Sequence, residues 1–413
     1  MIPSYQRLES RQRTICLAIG LFCIAMGLAQ QVTLWQLDTD GLSPVAERLP
    51  YWDFSNLWAG SVMALEGHTG LLFDPAAYRE ALDRILGVTL PHPQEWSYPP
   101  HILLIGVPLA LMPIWLAYIV WSAGTLFLFH LALRPFRLPV LAHLFVLLSP
   151  AIWSNQVFGQ NGALTAALLI GGLTLAPRKP ILAGILIGFL TIKPHLGILL
   201  PFVLLASWNI RAFISAAVTA VVLVLATGLL FGFDVWVGFL TETRALMTLI
   251  MEQPYPQAYH THAATVFVTA RSLGADLAMA YLVQGFATAI AVAAAIWLWR
   301  PAARIDHLSR VAMTGVLVIA ATPYGYTHDT APVYLAIAWF LLTDRKPQVA
   351  FFGALWVFAI FFPELHGPVG LSAGIVAPVA LAVWLFYARW SEIGGGAIWR
   401  TTDRNAPEPA TAS

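Results

Sequence analysis

Asp53 lies in the run Tyr51-Trp52-Asp53-Phe54-Ser55-Asn56-Leu57-Trp58, a short way beyond the first long apolar stretch of the chain. A carboxylate crowded by aromatic rings is partly desolvated. Its pKa rises toward the basicity that general base catalysis needs. The competing reading is a helix cap, because a short acceptor ahead of Ser55 and Asn56 can close a helix over 55–66. Lys193, in Lys193-Pro194-His195, interrupts two apolar runs. An ionisable residue in such a place is costly unless paired or hydrated, and a fixed cation there suits a lipid phosphate. The bland alternative is a side chain that snorkels to the water boundary. The run Pro323-Tyr324-Gly325-Tyr326-Thr327-His328-Asp329 adds an imidazole at His328 that can bind a phosphate or orient a hydroxyl. Asp329 is also placed to cap a helix over 330–342.

The other polar candidates are weaker alone. Gly159-Gln160-Asn161-Gly162 sets two amides between glycines. Gln160 and Asn161 can hydrogen-bond a sugar or phosphate without adding charge, or simply form a turn. Tyr98, before Pro99-Pro100, lines a cavity or anchors the chain at an interface. Tyr326 belongs with His328. His260 and His262 alternate in a polar, aromatic run. No third ligand stands at fixed spacing, so no metal site is expected. Asp74 before Pro75 reads as a structural N-cap for a helix over 76–86. Glu364 and His366 are fainter candidates of the same kind as His328.

All of these must be positioned by membrane helices. The 413 residues are 59% hydrophobic and only 10% charged, which describes an all-α polytopic membrane protein and no soluble domain of this size. A net charge of +1 argues against a nucleic-acid partner. Cys16 and Cys23 are two turns apart on one helix, too far to bridge, and read as buried thiols. The first apolar run is too long for a cleaved signal. Spans are expected near 14–34, 114–133, 139–152, 162–175, 181–192, 195–207, 212–231, 275–298, 310–323, 330–342, 347–362 and 369–388. That is about twelve crossings, with a shorter dipping helix over 101–112. Of the 22 Lys and Arg residues, sixteen fall on one side of this arrangement, which makes both termini cytoplasmic. The 35–100 and 232–274 loops then lie outside the cell membrane. Short tips at 153–161, 191–195, 323–329 and 363–368 surround one outward-facing cavity that these loops roof. Residues 1–393 form the membrane domain, and the Gly-, Pro- and Ala-rich 394–413 tail is expected to be disordered.

The order of Asp53-Phe54, Leu65–Gly67, Leu72-Phe73-Asp74-Pro75, Tyr98-Pro99-Pro100 with Pro108 and Pro113, Gly159-Gln160-Asn161 and Lys193-Pro194 resembles glycosyltransferase family 87 over about residues 50–210. Further on, Thr322-Pro323 and Tyr326-Thr327-His328-Asp329 stand where the family pattern has a Ser-Pro and a His-His type run, so one of two histidines matches. The resemblance implies a GT-C-like bundle with a large first outer loop. It also implies a polyprenol-phosphate-mannose type of donor, Asp53 as base, and a supporting role for His328.

The expectation is an inverting transferase in the cytoplasmic membrane. It moves mannose or another hexose from a polyprenyl-phosphate donor to a lipid or glycan acceptor on the outer face. No nucleotide sugar is available there, so a lipid must carry the sugar. Asp53 takes the acceptor proton, and Lys193 with His328 stabilises the departing phosphate. Gln160, Asn161, Tyr98, His260, His262 and Tyr326 contact substrate. No cofactor is expected. Membrane lipids are the surrounding partners. A flippase for a lipid-linked sugar is the rival reading, though the paired broken helices of a transporter are missing from the sequence. An inactive subunit of an envelope-polysaccharide complex is the third.

Overall fold

The computed structural model describes residue 5 and residues 8–92, 94–344 and 348–393. The 394–413 tail therefore lies outside the described residues, as do the side chains of Glu364 and His366. Helices carry the described chain, and its only β-type pairings are two isolated bridges.

Among the described residues, five helices are long and apolar enough to cross a membrane: Ser10–Leu34, Ile114–Phe136, Val140–Phe158, Ile210–Phe231 and Leu277–Trp299. Seven more apolar segments are shorter, 10–17 residues each. The arrangement is a membrane-embedded helical bundle. Its centre is the Gly162–Leu175 helix, apolar on every side and buried along nearly all its length. Its rim includes Ile210–Phe231, which turns Val218, Val221, Val222, Leu225 and Leu229 outward. Such a continuous apolar face is tolerable in lipid and not in water. Two buried indoles are satisfied within the bundle: Trp299 donates to Thr314 Oγ1 at 2.7 Å, and Trp339 donates to Ser309 Oγ at 2.9 Å.

Three local expectations give way. The 153–161 tip shrinks, because the helix that starts at Pro150 runs to Phe158 and ends on Gly159 at φ 66°. The 363–368 tip is helical. Val349–Val369 continues through it and stops at Gly370, again with left-handed φ. The helix expected over 55–66 starts at Trp52, so Asp53 sits in its first turn. The N-cap position belongs to Tyr51, with no side-chain cap bond, and the capping account of Asp53 falls.

Two assemblies hold the site end together. In the 35–100 segment, Gln94 Nε2 donates to the Trp52 carbonyl at 2.7 Å, and Asn56 Nδ2 donates to the Glu95 carbonyl at 2.9 Å. Tyr78 donates to Asn56 from the Pro75–Leu86 helix. That helix is capped by Asp74, which accepts from Ala76 and Ala77 at 3.0 and 3.1 Å. At the other assembly, buried Gln284 accepts from the Phe267 amide at 3.0 Å and donates to the Ala321 carbonyl at 3.2 Å. This ties the 258–272 segment to the turn that carries His328 and Asp329.

Candidate active site

The Gly159-Gln160-Asn161-Gly162 tip is wedged between the segments bearing the two buried acids. A Cβ on Gly159 would stand 2.5 Å from Phe54 Cβ, and one on Gly162 would stand 2.0 Å from the His328 carbonyl oxygen. Both positions need glycine for close approach, and Gly159 also needs it for its backbone angle. Trp121 pins the tip by donating to the Gly159 carbonyl at 3.1 Å.

That wedge delivers Gln160 to Asp53. Gln160 Nε2 donates to Asp53 Oδ2 at 2.9 Å, while Oδ1 accepts no hydrogen bond among the described residues. The carboxyl is walled in by protein yet still reached by solvent. Burial pushes its pKa up to about 6, against the Gln160 hydrogen bond and the more distant charges of Arg48 and Lys193. The wall includes Tyr98, stacked edge-on against Trp96, whose hydroxyl lies 3.5 Å from the Asp53 carbonyl. Asp53 is thus a carboxylate near neutral pH that keeps basicity, with one oxygen oriented and one open.

Lys193 meets a different acid. Its Nζ lies 2.7 Å from Asp329 Oδ1 and 3.3 Å from His328 Nε2. Lys193 is 8% exposed and the Asp329 side chain is wholly buried. Asp329 Oδ2 also accepts from the Tyr326 amide at 3.2 Å, which closes the 3-10 turn Thr327–Thr330. Burial works against the Asp329 charge, but Lys193 and the nearby imidazoles hold its pKa below the ordinary carboxylate value. His328 is driven down to about 3 by burial, so its imidazole is neutral. The imidazolium form of phosphate binding is unavailable to it at neutral pH. Lys193 neither snorkels nor stands alone, and the ion pair with Asp329 escaped the sequence reading.

The remaining candidates divide. Tyr326 stacks on His328 with ring centroids 5.6 Å apart. Asn161 is 2% exposed, with Oδ1 buried and unpartnered. His262 packs edge-on against Phe158, and Thr327 Oγ1 donates to its carbonyl at 3.2 Å. His260 is buried and accepts from the Gln257 amide at 2.9 Å, inside its own 3-10 turn Ala258–His262. The Ala263–Tyr326 bridge joins that turn to the Asp329 turn. One residue was passed over entirely: Arg48, whose guanidinium carbon lies 5.5 Å from the Trp52 ring and 5.7 Å from the Phe158 ring. The sequence signal for it was only an Arg five residues before Asp53.

No curated protein and no solved structure matches the chain. The sequence model of glycosyltransferase family 87 matches residues 96–323. The matched stretch contains Tyr98, Gln160, Asn161, Lys193, His260 and His262, and leaves Asp53, His328 and Asp329 on either side. With more than half of its length matched, the chain belongs to glycosyltransferase family 87 and is a membrane glycosyltransferase.

Proposed function

We propose that the protein transfers a hexose from a polyprenyl-phosphate donor to a lipid or glycan acceptor, with inversion at the anomeric carbon and Asp53 as general base. The observation that carries this reading is the Asp53 carboxylate, oriented through Oδ2 by Gln160 and open at Oδ1, with a pKa near 6. The acceptor hydroxyl gives its proton to Oδ1 as its oxygen attacks the anomeric carbon. The bond from that carbon to the phosphate oxygen breaks, and the electron pair leaves with the polyprenyl phosphate. Negative charge gathers on that phosphate. Lys193 and neutral His328, across the 159–162 tip from Asp53, supply a positive centre and a hydrogen-bonding ring on its side. Asn161, with its unpartnered oxygen, and the Tyr98, Tyr326 and His262 rings offer sugar contacts. His260 supports them from its turn.

The donor assignment rests on sidedness. The positive-inside charge bias supports an orientation with this end of the bundle away from the cytoplasm, where nucleotide sugars are made. The test is transfer by purified protein in detergent, with radiolabelled polyprenyl-phosphate mannose, polyprenyl-phosphate glucose or nucleotide sugars as donor. Transfer from a lipid-linked donor only, with the anomeric configuration inverted, is expected. Transfer from nucleotide sugars alone would overturn it. Thiol labelling of cysteines introduced at His68 and Arg178 checks the sidedness, since labelling of the second from outside contradicts it.

A further inference from the structure

The charges beside Asp53 and Asp329 do not yet suffice for a phosphate. Lys193 is matched at 2.7 Å by Asp329, and His328 is neutral. Asp53 is itself an acid. A lipid phosphate therefore meets a centre whose nearest cation is already compensated.

Arg48 supplies what is missing. It is delivered by a closed loop: the Ser43 amide donates to the Arg48 carbonyl at 2.8 Å, and the Glu47 amide donates to the Ser43 carbonyl at 2.7 Å. Buried Leu42 and Leu49 anchor the loop on both sides. Glu47 adopts φ 51°, and its carboxylate turns to His92 at 3.6 Å instead of to its neighbour. Arg48 Nε donates to the Ala46 carbonyl at 3.3 Å, which leaves both terminal nitrogens of the fork uncommitted among the described residues. No carboxylate there lies within 4.0 Å of the guanidinium. Trp52 and Phe158 hold the group by its apolar faces. Trp52 adjoins Asp53, and Phe158 is two residues from the Gln160 that binds Asp53. A half-buried guanidinium, gripped by its faces with its edge free, is built for a bidentate oxyanion.

We propose that Arg48 adds the uncompensated cation beside Asp53 and binds a lipid-borne phosphate through the free edge of its guanidinium. The inference rests on the transferase reading above. The phosphate is carried by the polyprenyl donor or by an anionic lipid acceptor. Either source presents the same two oxygens to the fork.

The experiment uses the full chain in detergent. Binding is measured for a polyprenyl phosphate and for the uncharged polyprenol of the same length. It is also measured for phosphatidylinositol and for diacylglycerol. The wild type should prefer one phosphate over its uncharged counterpart by about tenfold to a hundredfold. Arg48→Gln should lose that preference and keep the affinity for the uncharged lipid, and Arg48→Lys should retain part of it. Loss in the polyprenyl arm assigns the donor, and loss in the phosphatidylinositol arm assigns the acceptor. In transfer assays the KM of the same substrate should rise more than kcat falls. A merely structural stacking role would move neutral-lipid binding and melting temperature instead. If Arg48→Gln does not fold, Arg48→Lys carries the test, because full retention of bidentate preference by a point charge is not expected. A wild type with phosphate preference and an Arg48→Gln variant that keeps it in full would overturn the proposal and leave the transferase reading intact. A wild type that prefers neither phosphate would overturn the transferase reading itself.

Discussion

Asp53 and Asp329 are two acids on opposite sides of the 159–162 tip, and the protein treats them in opposite ways. Asp329 has a cation 2.7 Å away and a backbone amide on its other oxygen, so both oxygens are committed and the charge is stabilised. Asp53 has one amide donor, no cation within ion-pair distance and one free oxygen. The same chemistry thus gives one acid held charged and one weakened acid suited to accept a proton. Environment, more than residue type, assigns the roles.

The largest test of that contrast is Asp53→Asn. The amide keeps shape and polarity but cannot take a proton. Turnover should fall roughly two to four orders of magnitude while the melting temperature holds or rises, because no capping bond is lost and a buried charge is removed. Near-normal transfer in this variant would remove Asp53 as the base. The counterpart is Lys193→Met, which leaves Asp329 charged, buried and alone. Breaking such a pair costs about 3–5 kcal/mol of stability, so thermal or denaturant unfolding should report it before any kinetic effect does. Adding Asp329→Asn in the same chain should recover part of the loss. A Lys193→Met protein that unfolds like wild type but uses donor poorly would separate the phosphate role of Lys193 from its pairing with Asp329.

A finer test uses pH. With Asp53 as the only essential base, kcat/KM should climb with pH and level off above about 6. Gln160→Leu removes a hydrogen bond that favours the charged form. The midpoint should move up by about one pH unit, with recovery at higher pH. An unmoved midpoint would detach Gln160 from the base. Stability carries opposite signs at the two acids. Asp53, raised above its unfolded value, contributes stability below the ordinary carboxylate range, and this is lost as pH rises through about 6. Asp329, held below its unfolded value, contributes stability above that range, and this is lost as pH falls. Melting curves of Asp53→Asn and wild type should therefore diverge on raising pH from 4 to 7, with the wild type losing ground.

The helical membrane character was legible because long apolar runs have few other uses. The desolvation of Asp53 was legible because aromatics flank it in the chain, and Asp74 because Asp-Pro at a helix start has one dominant geometry. The Lys193–Asp329 pair was not, since its partners are 136 residues apart and neither carries a local mark of the other. Arg48 was missed for a related reason. Its stacking partner Phe158 comes from a distant helix, and Glu47 beside it in sequence gives no sign that it pairs with His92. The 363–368 tip was misplaced because Pro363, Glu364 and His366 look like a turn in sequence, although the helix runs through them to Gly370.

Asp74 is the smallest test and the control for the others. It stands 21 residues from Asp53 in the same 35–100 segment and has a carboxylate oxygen that accepts two backbone amides. Those bonds satisfy donors at the start of the Pro75–Leu86 helix, and Pro75 occupies its first turn. The Pro75–Leu86 helix reaches the site through Tyr78, which donates to Asn56 three residues after Asp53. Asp74→Ala should cost about 1 kcal/mol of stability, and Asp74→Asn much less, since either side chain of the second kind can cap. Neither should shift the pH midpoint or lower kcat by more than about twofold, because a loss of 1 kcal/mol is absorbed in unfolding and not at the reacting atoms. If Asp74→Ala instead cut turnover as deeply as Asp53→Asn with the fold intact, the 35–100 segment would hold two functional acids, and the division between base and scaffold would have to be redrawn around Asp74.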